Sequence, residues 1–381
     1  MSIVCENLSN LRMISKGEAM FLAFGEIMAR IAPPGHLRWA QALPGAVQVT
    51  WGGGEANVCA SLALFGASAR YLTALPKTPV TEAMVATLRG LGVDVSQILW
   101  RKEGRLGLYF VEVGANQRGS TVLYDRSHSA ISLAEPKEYD FAAVLADIEW
   151  VHITGITPAI SEAACKANLE LVKQAKKSGA NVSCDLNFRK KLWNWRPGTK
   201  PRELARQCMA EVLPFVDLVI ANEEDAADVL DIHAAGTDVT HGKIDAAAYE
   251  QVARQIISRF PNVSRVAITL RESISADHNN WGAMLFDAKL GKASFAPLNN
   301  QGQYEPFEIR DIIDRVGGGD SFAAGLLFAL NSPEYADPQS AISFAVAASC
   351  LKHSVQGDFN YVSKEEVVAL MGGNASGRVQ R

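Results

Sequence analysis

Apolar positions along this chain alternate between two rhythms. Trp150 to Thr154, Val182 to Leu186, Leu218 to Ala221 and Val266 to Leu270 are short, β-branched apolar runs with the length of strands. Between and after them, Glu162 to Lys177, Pro201 to Leu213, Glu223 to Asp231 and Ala246 to Phe260 repeat apolar residues at helical spacing. Such alternation predicts βαβ units, a mostly parallel sheet covered by helices, and ligands at the carboxyl ends of its strands.

The first part of the chain is less regular. It predicts one strand over Phe21 to Ile31, ending at the Pro33-Pro34-Gly35 turn, an extended piece over Val47 to Trp51, and a helix opened by G-G-G-E-A-N (Gly52 to Asn57) and closed by Gly66. A strand over Ala69 to Ala74, a helix over Val80 to Leu91 and a short strand near Ile98 to Trp100 follow. Between Leu106 and Tyr124 apolar and polar residues alternate around a Gly114 to Gly119 turn, the pattern of an antiparallel hairpin and hence of a separate small sheet. The C-terminal third reads as helical, over Ser321 to Asn331, Pro338 to His353 and a last helix after Ser363, where Ser363-Lys364-Glu365-Glu366 is a capping box. Residues 1–19 are polar, lack a signal-peptide core and precede Met20; they and 372–381 are expected to be disordered tails, or in the first case an upstream start.

Composition narrows the function classes. The chain has 381 residues and a formal net charge of -4 with both signs mixed, so it offers neither a basic stripe for nucleic acid nor a polybasic membrane anchor. No run approaches the roughly 20 apolar residues of a membrane span. The six cysteines are dispersed without C-x-x-C, which fits a reduced, cytoplasmic setting, and the seven histidines do not cluster as zinc ligands do.

Chemistry concentrates at Asp314 to Leu330, D-R-V-G-G-G-D-S-F-A-A-G-L-L-F-A-L. Gly317, Gly318 and Gly319 can bring bare N–H groups close to a ligand, and a helix follows at once, so phosphate is favoured there by unsatisfied amides and the helix dipole. A carboxylate beside bound phosphate is electrostatically awkward. Two readings of Asp320 are open: a general base that takes the proton of a substrate hydroxyl while the amides hold a transferring phosphoryl group, or a helix N-cap. No G-x-x-x-x-G-K-[ST] is present, and both glycine triplets miss G-x-G-x-x-G, which removes the P-loop and weakens a dinucleotide fold.

A late glycine loop followed by Asp, an early G-G-G-E-A-N and an inserted hairpin resemble the ribokinase-like (PfkB) family of carbohydrate kinases over nearly all of residues 20–371. Asp314, Gly317, Gly319 and Asp320 match that family's Asp-Thr-x-Gly-Ala-Gly-Asp signature, with Arg315 and Gly318 in place of its small residues. In the other signature Gly52, Gly53 and Asn57 match, while Glu55 and Thr81 stand where glycine is usual. Y-D-R-S-H-S-A, Ile153 to Ala159, D-L-N-F-R-K-K-L-W and T-L-R-E-S-I-S-A are similar to the branch acting on 2-keto-3-deoxygluconate.

The resemblance implies an α/β ribokinase-like fold with a β-sheet lid at 32–50 and 104–129, and transfer of the ATP γ-phosphoryl group to the terminal C6 hydroxyl of this sugar acid. It implies Asp320 as base with Gly317, Gly318 and Gly319 as anion hole, and Gly53, Gly54, Asn57, Tyr109, Tyr124, Arg126 and Arg189 around the sugar acid. Guanidinium suits a carboxylate; on local pattern alone Arg126 and Arg189 also read as solvated surface arginines, and Tyr109 with Tyr124 as cross-strand packing. Asn187, Asn222, Thr269, Arg271 and Lys352 are implied on the nucleotide, Arg271 on its phosphate or on the substrate, and Asp225 at Mg²⁺. Lys352 to Asp358 is implied to edge the adenine pocket, with Lys352 and Asp358 otherwise ordinary surface charges. A homo-oligomer is a further implication. Other substrates of the same fold (the galactonate epimer, a neutral ketose) and a non-catalytic nucleotide- or sugar-binding regulator are the alternatives.

Overall fold

Long apolar runs with little alternation need cover on both faces, and that requirement organises the structure. The computed structural model describes residues 19–222, 224–233 and 246–373; of the expected tails at 1–19 and 372–381, residues 1–18 and 374–381 lie outside these, as does Glu223 at the start of its expected helix. The central sheet runs β14-β13-β12-β11-β10-β9-β1-β4, with β15 paired to β13. Its strands are β1 (Met20–Phe24), β4 (Ser68–Leu72), β9 (Trp150–Thr154), β10 (Asn181–Asp185), β11 (Leu218–Ala221), β12 (Arg265–Ser273), β13 (Asn279–Asp287), β14 (Lys292–Ala296) and β15 (Phe307–Ile309). From β4 to β12 all pairings are parallel, and β13 adds antiparallel neighbours at one edge.

Helices Glu162–Ser178, Pro201–Val212 and Ala246–Arg259 bury their apolar stripes in a core on one face. On the other face, Gly54–Leu64, Pro79–Gly90, Gly318–Leu330 and Pro338–Lys352 enclose a second core. The Gly318–Leu330 helix is apolar nearly all round because other helices pack against it, and Gly325 permits the closest approach, with an added Cβ only 3.0 Å from the Ala345 Cα. No helix among the described residues is long and apolar enough to cross a membrane.

From β1 the chain goes to β4 on one side and then to β9, β10, β11 and β12 on the other. Connections that diverge in this way leave a crevice at the carboxyl ends of the strands. A smaller four-stranded sheet, β3-β2-β7-β8, stands beside it. Here β2 (Met28–Ala32) pairs antiparallel with β3 (Gln48–Gly52) and parallel with β7 (Gly107–Glu112), and β7 pairs antiparallel with β8 (Thr121–Asp125), so that Tyr109 lies opposite Tyr124. This is the expected hairpin.

Three expectations are corrected. The strand over Phe21 to Ile31 is two strands in two sheets, broken where Gly25 makes room for the Glu55 carboxyl group: a Cβ at Gly25 would lie 2.1 Å from its carbon. The strand over Ala69 to Ala74 likewise divides, since β5 (Ala74–Pro76) leaves the central sheet to pair with β6 (Leu99–Arg101). The C-terminal third is not wholly helical in its approach, because β13, β14 and β15 precede the glycine loop; β13 is buried along almost its full length and so shows no period of two.

Candidate active site

The carboxyl ends of β9 to β12, the glycine loop and the inner face of the small sheet enclose a cavity of about 340 Å³. Gly53, Gly54, Asn57, Tyr109, Tyr124, Arg126, Asn187, Arg189, Asn222, Asp225, Thr269, Arg271, Gly317, Gly318, Gly319 and Asp320 all line it. Lys352 does not: its side chain is fully buried behind the loop, where Nζ donates to the Val355 carbonyl at 2.9 Å. Asp358 is buried and lines the cavity, so neither residue is a surface charge.

Gly317, at φ 86°, caps the Gly318–Leu330 helix without a side chain, a left-handed conformation that suits glycine. Its missing Cβ matters sterically as well, since that atom would lie 2.3 Å from the Asp358 carbonyl oxygen. The capping alternative for Asp320 is overturned: it is the third helical residue, and its Oδ2 accepts from Asn57 Nδ2 at 2.6 Å. Asn57 is itself oriented, with its Oδ1 accepting from Gly53 N at 3.3 Å. Burial pushes the Asp320 carboxyl group up to about 6; the Asn57 bond opposes this, Asp358 adds to it, and Arg189 and Lys352 oppose it. Thus Asp320 can ionise near neutrality and still hold a proton.

Behind the site, Glu55 is fully buried and its Oε1 accepts from Thr154 Oγ1 at 2.7 Å and Thr157 Oγ1 at 2.8 Å. Burial pushes it up to about 7 against those two bonds. Asp185 and Asp225 bring two more carboxyl groups to the wall. Asp225 Oδ1 accepts from Phe188 N at 2.9 Å and Oδ2 from Asn222 N at 3.2 Å, so it braces the loops that carry Asn187 and Arg189. Asn222 in turn accepts through Oδ1 from Glu224 N and Asp225 N, serving the start of the next helix. Asp185 is raised by burial, then by Asp225 and Asp320. A divalent cation held mainly by phosphate oxygens and water, with Asp185 and Asp225 as the nearby protein groups, would relieve that repulsion; no group of three or more ligating side chains is found among the described residues.

The two substrate-side arginines differ. Arg126 is buried and paired with Glu26, Nε donating to Oε2 at 2.7 Å. Arg189 is exposed at the rim and makes no ion pair or side-chain hydrogen bond among the described residues. On the small sheet, Arg30 is buried between two carboxylates, with Nη2 2.6 Å from Asp314 Oδ2 and Nη1 2.9 Å from Asp358 Oδ1. Asp314 also accepts from Val316 N and Gly357 N, so this cluster joins the small sheet to the turn entering the glycine loop.

Sequence reasoning missed Glu26, Arg30, Asp185 and Trp281 as site residues. Asp185 had a usable signal, an acid at the carboxyl end of a parallel strand. Glu26 and Arg30 had none, because their roles come from partners about 100 and 300 positions away.

Comparison with known proteins agrees with this fold. Residues 19–270 match the model of the pfkB family carbohydrate kinases. A crystal structure of 2-dehydro-3-deoxygluconokinase from Thermotoga maritima aligns with a TM-score of 0.83 and 40% identity, covering 93% of this chain and 100% of that one. A 2-dehydro-3-deoxygalactonokinase of Haloferax volcanii is 28% identical over 359 residues, 94% of this chain and 98% of that protein. A 2-dehydro-3-deoxygluconokinase of Thermoproteus tenax is 28% identical over 348 residues, 90% of this chain and 91% of that protein.

Glu55 gives the site a measurable pH signature. Its folded value of about 7 lies above its ordinary 4.5, so the unfolded chain loses this proton first and stability falls as pH rises through that window. Glu55→Gln keeps both threonine bonds and does not titrate. Denaturant unfolding is expected to show near parity with the native chain at pH 5 and a gain for the variant of up to roughly 3 kcal/mol at pH 8; parity at both pH values contradicts the assignment.

Proposed function

This chain belongs to the pfkB family of carbohydrate kinases, and from that premise we propose that it transfers the γ-phosphoryl group of ATP to the C6 hydroxyl of 2-keto-3-deoxygluconate. The observation that carries the proposal is the placement of Asp320, ionisable near neutrality, on the same helix start as the glycine amides. The hydroxyl proton passes to Asp320, the new oxygen–phosphorus bond forms as the bond to the β-phosphate bridging oxygen breaks, and ADP leaves. The Gly317 to Gly319 amides hold the charge that spreads over the phosphoryl oxygens. Mg²⁺, when bound near Asp185 and Asp225, supplies charge neutralisation to the phosphates. Asn187, Asn222, Thr269 and Arg271 line the donor side, and Lys352 acts through the packing behind the loop.

Arg189 supports an acidic substrate. Arg126 has its charge met by Glu26, whereas Arg189 retains a free guanidinium fork at the rim for a carboxylate. Tyr109 and Tyr124, side by side on the inner face of the small sheet with ring centroids 6.3 Å apart, cover the sugar. The small sheet acts as a lid on a kinase domain of 20–371, reaching beyond the expected 32–50 because β2 (Met28–Ala32) and all of β3 (Gln48–Gly52) belong to it, with its other two strands inside the expected 104–129; closing it excludes the water that would otherwise compete for the phosphoryl group. On its outer face Val49, Ile31, Phe110 and Leu123 share one register row, and exposures of 55% for Val49 and 67% for Leu123 favour a homo-oligomer that covers it. Free cysteines at five described positions accord with a reducing, cytoplasmic setting. The Haloferax relative favours the galactonate epimer as the second reading.

Asp320→Asn is expected to lower kcat by about 10²–10⁴ while ATP and sugar acid still bind, measured by coupled ADP release and calorimetry; near-normal turnover removes the base. Arg189→Ala is expected to raise KM for the sugar acid at least tenfold and leave that of any accepted neutral ketose unchanged. Equal KM values for the acid in native and variant enzyme assign the carboxylate elsewhere.

A further inference from the structure

Arg315 is a cavity-lining guanidinium that makes no ion pair among the described residues. It stands two positions before the Gly317 cap. Its Nη2 donates to the Ser275 carbonyl at 3.0 Å and the Ala276 carbonyl at 2.5 Å, while Nε is buried and unpartnered among the described residues. Neutral carbonyls fix the position of the group without cancelling its charge. Arg271, at the end of β12, lines the same wall. Burial lowers the proton affinity of Arg315 and the Arg271 charge lowers it further, with Asp277 and Asp314 pulling the other way.

The loop that anchors Arg315 is also tied to the small sheet. Asn116, at the tip of the β7–β8 hairpin, donates its N–H to Asp277 Oδ2 at 3.1 Å and accepts from Ala276 N at 2.7 Å. The hairpin that covers the sugar therefore touches the turn that holds the arginine. A guanidinium held in place without an ion pair among the described residues, beside amides already suited to phosphate, is matched to a polyphosphate, whose oxygens a planar fork can engage in pairs.

We propose that Arg315, with Arg271 beside it, is a second phosphate-binding arm for the donor, held in register by the hairpin tip. This deepens the kinase reading and rests on it for the identity of the donor. A carboxylate has the same anionic chemistry, but Arg315 enters the glycine loop itself, two positions before the Gly317 cap, where a phosphate is favoured by the helix start.

The test is calorimetric titration of the full chain with inorganic tripolyphosphate, and separately with the sugar acid, using Arg315→Met and Arg315→Gln. Both variants are first checked for native-like thermal unfolding, so that the one that folds better serves if the other does not. The expected result is a tenfold or greater loss of tripolyphosphate affinity with sugar-acid affinity within twofold of the native chain. Tripolyphosphate affinity within twofold of native in a folded variant overturns the proposal, as does a loss confined to the sugar acid. Because this readout needs no turnover, failure of the sugar-acid kinase assay leaves it standing, and its own failure leaves the assignment of Asp320 intact.

Discussion

On the kinase reading proposed for this site, a carboxylate and a polyphosphate share one small space, and the electrostatics of that arrangement constrain the residues around it. Without compensation, burial would keep Asp320 protonated and useless as a proton acceptor, and the phosphates would add to the effect. Asn57 donates to the ionised form, the glycine loop at the helix start lines the same cavity, and Arg189 and Lys352 pull from further away. The balance leaves the group near 6, where it can both take and release a proton.

Holding that balance needs rigidity behind the loop. The Gly318–Leu330 helix is wedged between two others, with Gly325 allowing near backbone contact, so Asp320 inherits a fixed position. Arg30 links the small sheet to Asp314 and Asp358, one beside the glycine loop in sequence and the other behind it in space. Buried ion pairs of this kind contribute little net stability, because desolvation offsets attraction, but removing one partner leaves costly unpaired charges. Their effect here is on register: the small sheet cannot shift on the β2 side without disturbing the turn that leads into Gly317.

The legible part of the sequence was the part governed by local rules. Strand and helix alternation from Trp150 onward, the Leu106 to Tyr124 hairpin and the glycine loop before an apolar helix are each written in contiguous residues, and each is present. Breaks in strands were not legible, because Gly25 separates β1 from β2 only through its contact with Glu55, thirty positions on. β13 was missed because a strand buried on both faces has no alternation to detect. At the site, residue types at strand ends and glycine loops pointed to residues that line one cavity. The pairing of Arg126 with Glu26, which separates it from Arg189, emerges only when two sheets meet.

The most direct measurement is a crystal structure of the full chain with the sugar acid and a non-hydrolysable ATP analogue bound together. An Asp320 carboxylate oxygen is expected at about 2.6–3.2 Å from the hydroxyl that faces the γ-phosphate, with the Gly317 to Gly319 amides directed at that phosphate. A carboxylate turned away from every sugar hydroxyl, with the facing hydroxyl bonded to another side chain, would contradict this placement.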